Sequence, residues 1–147
     1  MKPLLERWQR FLEEIHQGIV PIREELVQHI TEHPEQVIHL DSPRGSSKAF
    51  GRGKKNKVVL PFDYGEYPDI INPADNMGWD IIIVPSATKN EKNLIPVGHI
   101  AYSETRPEKI GNDKIIIAPA GKYSSADVKI IEEFFAPLGG FEPVEWY

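Results

Sequence analysis

The sequence contains no cysteine. Disulfide scaffolds, thiolate nucleophiles and Cys-ligated zinc are thereby excluded. No apolar run approaches the roughly 20 residues that a membrane-spanning helix needs, so no membrane partner is expected. The opening Met1-Lys2-Pro3-Leu4-Leu5-Glu6-Arg7 turns charged at once, unlike a secretory leader. A cytoplasmic location is the expectation from these features. Basic residues are in deficit: 17 Lys and Arg face 22 Asp and Glu, for a net charge of −5. Nucleic-acid binding by the surface as a whole is therefore not expected. No G-x-S-x-G motif marks a serine nucleophile. The histidines, His16, His29, His33, His39 and His99, show no zinc-ligand spacing. His29 and His33 are four apart, but at a polar helix end without an acid-rich partner motif. A chain of 147 residues is long enough for one core and too short for two.

What is present reads as two regions. In residues 1–36, Leu4, Leu5, Trp8, Phe11, Leu12 and Ile15 recur at helical spacing. After Gly18 and Pro21 comes a second stripe of Ile22, Leu26, Val27 and Ile30, ending near Pro34. This predicts an N-terminal helical hairpin or two short helices, either covering the core or serving as an interface between copies of the chain. Residues 37–147 read as the main domain. Strands are predicted at residues 37–40, 58–60, 80–85, 96–102 and 114–118. The stretch 42–56 reads as a loop or ragged hairpin. Ser124 and Asp127 suggest a capping box opening a helix whose apolar face is Val128, Ile131, Phe134 and Phe135. The expected fold is α+β: a small, five-stranded, partly closed β-barrel with flanking helices.

Two charged groups stand out. Acids fall at predicted strand ends: Asp41, Asp75, Asp80, Glu104 and Asp113. Carboxylates gathered at one rim suit Mg²⁺, which takes oxygen ligands together with water and phosphate. Each acid taken singly also suits a solvated turn. Six basic residues, Arg44, Lys48, Arg52, Lys54, Lys55 and Lys57, crowd into residues 44–57 of an acidic chain. This contrast suits anion binding, or a solvated loop. It is not a P-loop, because Gly45 and Gly51 are one residue too far apart and no Gly-Lys-Ser/Thr follows.

The order of these pieces resembles the soluble, Mg²⁺-dependent inorganic pyrophosphatases. Four stretches carry the resemblance: residues 40–48, with Asp41, Pro43 and Lys48; Asp63-Tyr64-Gly65-Glu66-Tyr67-Pro68; Asp75 to Asp80 running into an apolar strand; and Pro96-Val97-Gly98 through Asn112-Asp113-Lys114 to Pro119. It covers roughly residues 38–135, and the N-terminal helices lie outside it. It implies hydrolysis of pyrophosphate, or a related small phosphoanhydride, with Mg²⁺ as cofactor. Asp75 and Asp80 would be core metal ligands, supported by Glu104 and Asp113, with Asp41 acting through water. Lys48, Arg52, Lys114 and Arg44 would bind phosphate oxygens, and Tyr64 would donate its hydroxyl. The chain departs from the family at Met77, where the middle aspartate of the signature is expected. Glu66 and Asp69 are the nearby acids that could replace it. The family's Tyr-Lys pair after the last helix is also absent. A non-catalytic barrel that binds nucleotides or nucleic acid through its basic loop is the alternative expectation.

Overall fold

Two isoleucine triplets form the centre of the computed structural model, which describes residues 23–35, 37–50, 56–72, 77–88, 90–101 and 113–147. Ile81, Ile82 and Ile83 of β5 (Met77–Ile83) lie in parallel register with Ile115, Ile116 and Ile117 of β7 (Lys114–Pro119). All six are 0% exposed. A strand that alternates faces can bury consecutive isoleucines only when both faces of its sheet are covered. Each such side chain contributes about 1.5–3 kcal/mol on burial.

Around this pair the sheet extends as β1-β4-β5-β7-β6-β8. The remaining members are β1 (His39–Ser42), β4 (Tyr64–Asn72), β6 (Leu94–Ile100) and β8 (Glu145–Trp146). A separate hairpin joins β2 (Ser47–Phe50) to β3 (Asn56–Val59). The mixed α+β class is as expected, but the described residues hold eight strands and not five. Three sources account for the difference. The stretch read as a loop or ragged hairpin contains β2. Pro68 breaks the strand pattern of β4, and the structure accommodates it at a register shift between Tyr67 and Ile71. The two residues of β8 are too few to show a period. The first strand also begins two residues later than predicted.

Helix α1 (Arg23–Glu32) docks on β6 and buries Leu26 and Ile30 completely in the common core. It thus covers the core, as one reading of its stripe expected. The first helical stripe, with Ile22, lies outside the described residues. Helix α2 (Ser125–Phe135) begins with the capping box seen in the sequence: Ser124 Oγ accepts from the Asp127 N–H, and Asp127 accepts from the Ser124 N–H. Ile131 and Phe135 face the core. Phe135 stacks on Phe62 at 6.1 Å and meets Phe141 edge-on at 5.0 Å. After α2 the chain returns along β6 as β8. His99 clamps it there, through Glu145 at 2.7 Å and the Tyr147 hydroxyl at 2.9 Å.

Gly65 fixes how β1 meets β4. A Cβ at this position would collide with the His39 carbonyl oxygen. Gly65→Ala is therefore expected to push β1 from its register and cost about 1–3 kcal/mol, measured as a lowered urea midpoint at unchanged m-value.

Candidate functional site

Strand alternation decides which side chains share a face. On one face of the sheet, Glu66 of β4 lies opposite Asp80 of β5, and His39 of β1 lies opposite Glu66. The parallel β5–β7 register continues this row to Lys114. Tyr64, two residues before Glu66, shares the face. The row therefore crosses four adjacent strands, with Lys114 and Asp80 at one end and Glu66 and His39 at the other.

Lys114 is the most buried charged group of this row, at 7% exposure. Its ammonium donates to Asp80 Oδ2 at 3.0 Å and to Tyr64 Oη at 2.9 Å. Burial of an ammonium is tolerable only with such partners. The same Nζ lies 5.2 Å from the Tyr64 ring centroid and 5.8 Å from that of Phe141. A second ammonium arrives from the β2–β3 hairpin: Lys48 Nζ is 5.0 Å from the Tyr64 ring and donates to Asp41 Oδ2 at 2.8 Å. That hydrogen bond, aided by the Lys48 charge and Ser42, holds the Asp41 carboxyl below the ordinary aspartate range. Two cations from different elements thus converge on one tyrosine, each with its own carboxylate.

The structure brings together Asp41, Lys48, Tyr64, Asp80 and Lys114 from the residues singled out in the sequence. Asp113 is buried just before β7. Arg44 is set in a scaffolding contact: its guanidinium donates to the Ala87 carbonyl at 2.9 Å, and its backbone N–H donates to Asp63 at 2.8 Å. Asp75, Glu104 and Arg52 lie outside the described residues. Met77 is 60% exposed at the start of β5. Alternation places it on the face of Trp79, away from Asp80.

The sequence alone gives no preference between Glu66 and Asp69 as a replacement acid, and it offers His39 only as a histidine without zinc-ligand spacing. The structure separates the two acids. Asp69 is exposed at the irregularity of β4. Glu66 stands beside Asp80, its carboxyl lying over Gly78, where an added Cβ would come within 2.8 Å of Glu66 Oε2. The usable signal was the spacing of two between Tyr64 and Glu66, which sets them on one face of a strand.

No protein-family model matches the chain. No curated protein matches it either. Among solved structures, an inorganic pyrophosphatase from Neisseria gonorrhoeae is similar, with 17% identity and a TM-score of 0.48 over 74% of this chain and 80% of that one. Another, from Ehrlichia chaffeensis, shows 14% identity and a TM-score of 0.44 over 74% and 81%. Neither likeness says which residues act in this chain.

Among the described residues, no three His, Asp or Glu side chains form a ready-made cation site. Mg²⁺ does not require one, since it usually takes one or two carboxylates and fills its remaining positions with water and substrate phosphate. Asp80 and Glu66 are hard oxygen donors on one face. The space over Gly78 that a side chain would fill is given to the Glu66 carboxyl. The donor chemistry of the cluster fits a hard divalent cation next to a polyanion.

Proposed function

We propose that this chain hydrolyses inorganic pyrophosphate to two phosphates in a Mg²⁺-dependent reaction. The observation that carries this reading is the convergence of the Lys48 and Lys114 ammonium groups on Tyr64, beside the Asp80 carboxylate. Pyrophosphate is a compact polyanion, and water attacks phosphorus only once that charge is offset. Lys114 and Lys48 would grip its outer oxygens through charge-assisted hydrogen bonds. Tyr64 would fix the Lys114 ammonium, and Asp80 would face both that ammonium and the metal. Asp75, Glu104 and Asp113 belong to the proposed ligand set on sequence grounds, and Arg52 and Arg44 to the proposed anion-binding set. When bound, Mg²⁺ supplies charge neutralisation and makes water a stronger acid. Its proposed holders among the described residues are Asp80 and the neighbouring carboxylates.

One observation favours a second reading, binding without turnover. Met77 occupies a position where a carboxylate is expected, and it faces away from Asp80. The test is phosphate release from pyrophosphate with Mg²⁺ and with EDTA, using the wild type and Asp80→Asn. Mg²⁺-dependent release that disappears in Asp80→Asn is the expected result. No release from a folded wild type that still binds pyrophosphate would move the weight to the binding reading.

A further inference from the structure

We infer that Glu66 supplies the carboxylate that Met77 does not, standing with Asp80 toward the divalent cation. This inference rests on the Mg²⁺ hydrolase reading and names a residue within the same site. Four observations place Glu66 there. Its register partner is Asp80, so the two Cβ atoms are separated by about 5 Å on one face. Its carboxyl occupies the space over Gly78, two residues before Asp80. Its side chain is only 23% exposed. The basic group within 4 Å of it among the described residues is His39 Nδ1, at 3.7 Å and beyond hydrogen-bonding distance.

A like-charged pair directly opposed on a sheet is unfavourable unless something compensates it. Asp80 has Lys114 for this purpose. Glu66, on the far side, has no equally close cation among the described residues. A divalent ion between the two acids would satisfy both, while Lys114 and Lys48 remain for the anion. Met77 cannot serve in this way, because β5 places positions 77 and 80 on opposite faces. A single glutamate two residues after Tyr64 therefore moves the carboxylate from the signature loop to the neighbouring strand.

The experiment is a titration of the full chain with Mn²⁺, read as the paramagnetic signal of the free ion, without and with inorganic phosphate. Glu66→Gln and Asp80→Asn are each expected to weaken Mn²⁺ binding by about tenfold or more, with Asp69→Asn unchanged. Adding Met77→Asp to Glu66→Gln should not restore affinity. Thermal melting separates lost binding from lost structure. Glu66→Asp keeps the charge and the strand packing but falls one methylene short, so it too should bind more weakly. Wild-type affinity in Glu66→Gln or Glu66→Asp alongside weakened Asp80→Asn overturns the assignment of Glu66 and leaves the metal reading standing. Restoration by Met77→Asp overturns it also, because position 77 would then face the site. A wild type that takes up no Mn²⁺ in either condition overturns both together.

Discussion

Lys114→Met is expected to lower kcat/KM for pyrophosphate by about 10²–10³-fold, the usual consequence of removing one preorganised donor from a charge-stabilising site. The side chains are of similar length, so the change removes charge more than volume. Lys114 is the group for which this should be largest. Its ammonium is nearly buried, and it is held by Asp80 Oδ2 and Tyr64 Oη, from two other strands. In that setting its position is fixed before any anion arrives, and water screens it weakly. The variant also leaves Asp80 without its partner. Deleting one member of a fully buried ion pair costs about 3–5 kcal/mol, but the Asp80 side chain is 26% exposed and water can take up part of the loss. A cost nearer about 1–2 kcal/mol is expected. Steady-state kinetics and a thermal melt on one preparation separate the two effects. A folded Lys114→Met variant that hydrolyses pyrophosphate at the wild-type rate would exclude this lysine from the chemistry.

Asp127→Ala is expected to be the most destabilising of the surface-to-core polar changes, at about 2–4 kcal/mol. Asp127 is 2% exposed. Its carboxylate accepts from the Ser124 N–H at 2.9 Å, the Ser86 N–H at 2.9 Å and the Ser86 hydroxyl at 2.7 Å. It therefore caps α2 and fastens the helix to the turn after β5. Removing it strips the capping box and leaves two backbone N–H groups and a hydroxyl without their acceptor. For a chain of this size the loss lowers Tm by roughly 10 °C. Burial alone would raise the Asp127 pKa, but hydrogen bonds from Ser124 and Ser86 outweigh it and hold the carboxyl below the ordinary aspartate value. With the folded pKa depressed, this stabilisation is complete above the unfolded value near pH 4. It drains away as pH falls through the folded value. Urea unfolding at several pH values should show a wild-type advantage over Asp127→Asn that is constant at neutral pH and shrinks only below about pH 4. An advantage independent of pH down to pH 2 would mean that the carboxylate charge is not what holds the turn.

The helical ends and the buried strands were legible in the sequence because their signals are local. Ser124 and Asp127 announce a cap within four residues, and the isoleucine triplets announce strands covered on both faces. The alternative partner of Asp127 could not be read, since Ser86 lies 41 residues away. β4 was visible as a motif and not as a strand, because Gly65 and Pro68 both count against a strand. They are present because Gly65 lets β1 approach and Pro68 falls at a bulge. Within the site, residue types were legible one by one. Lys48, Tyr64, Asp80 and Lys114 all carry the chemistry expected of an anion and metal site. The grouping of Tyr64, Asp80 and Lys114 depends on register between β4, β5 and β7, and that of Lys48 on the β2–β3 hairpin, neither of which any spacing along the chain encodes. The same register sets Glu66 opposite Asp80, and alternation within β5 puts Met77 on the other face.

The clamp that His99 places on β8 has a further consequence, for how the molecule behaves in a crowd. β6 is a largely buried and mostly apolar strand, and β8 pairs with it at Gly98 and His99. An open strand of this composition is a template onto which another chain can add itself. Here the closing segment occupies the template. Its flanks add main-chain bonds from Tyr147 to Val97 and from Glu142 to Ala101, and the Trp146 indole ties it to Glu132 on α2. β8 and its flanks thus keep that edge from being free to pair, and a strand two residues long suffices because side chains from β6 and α2 hold it in place.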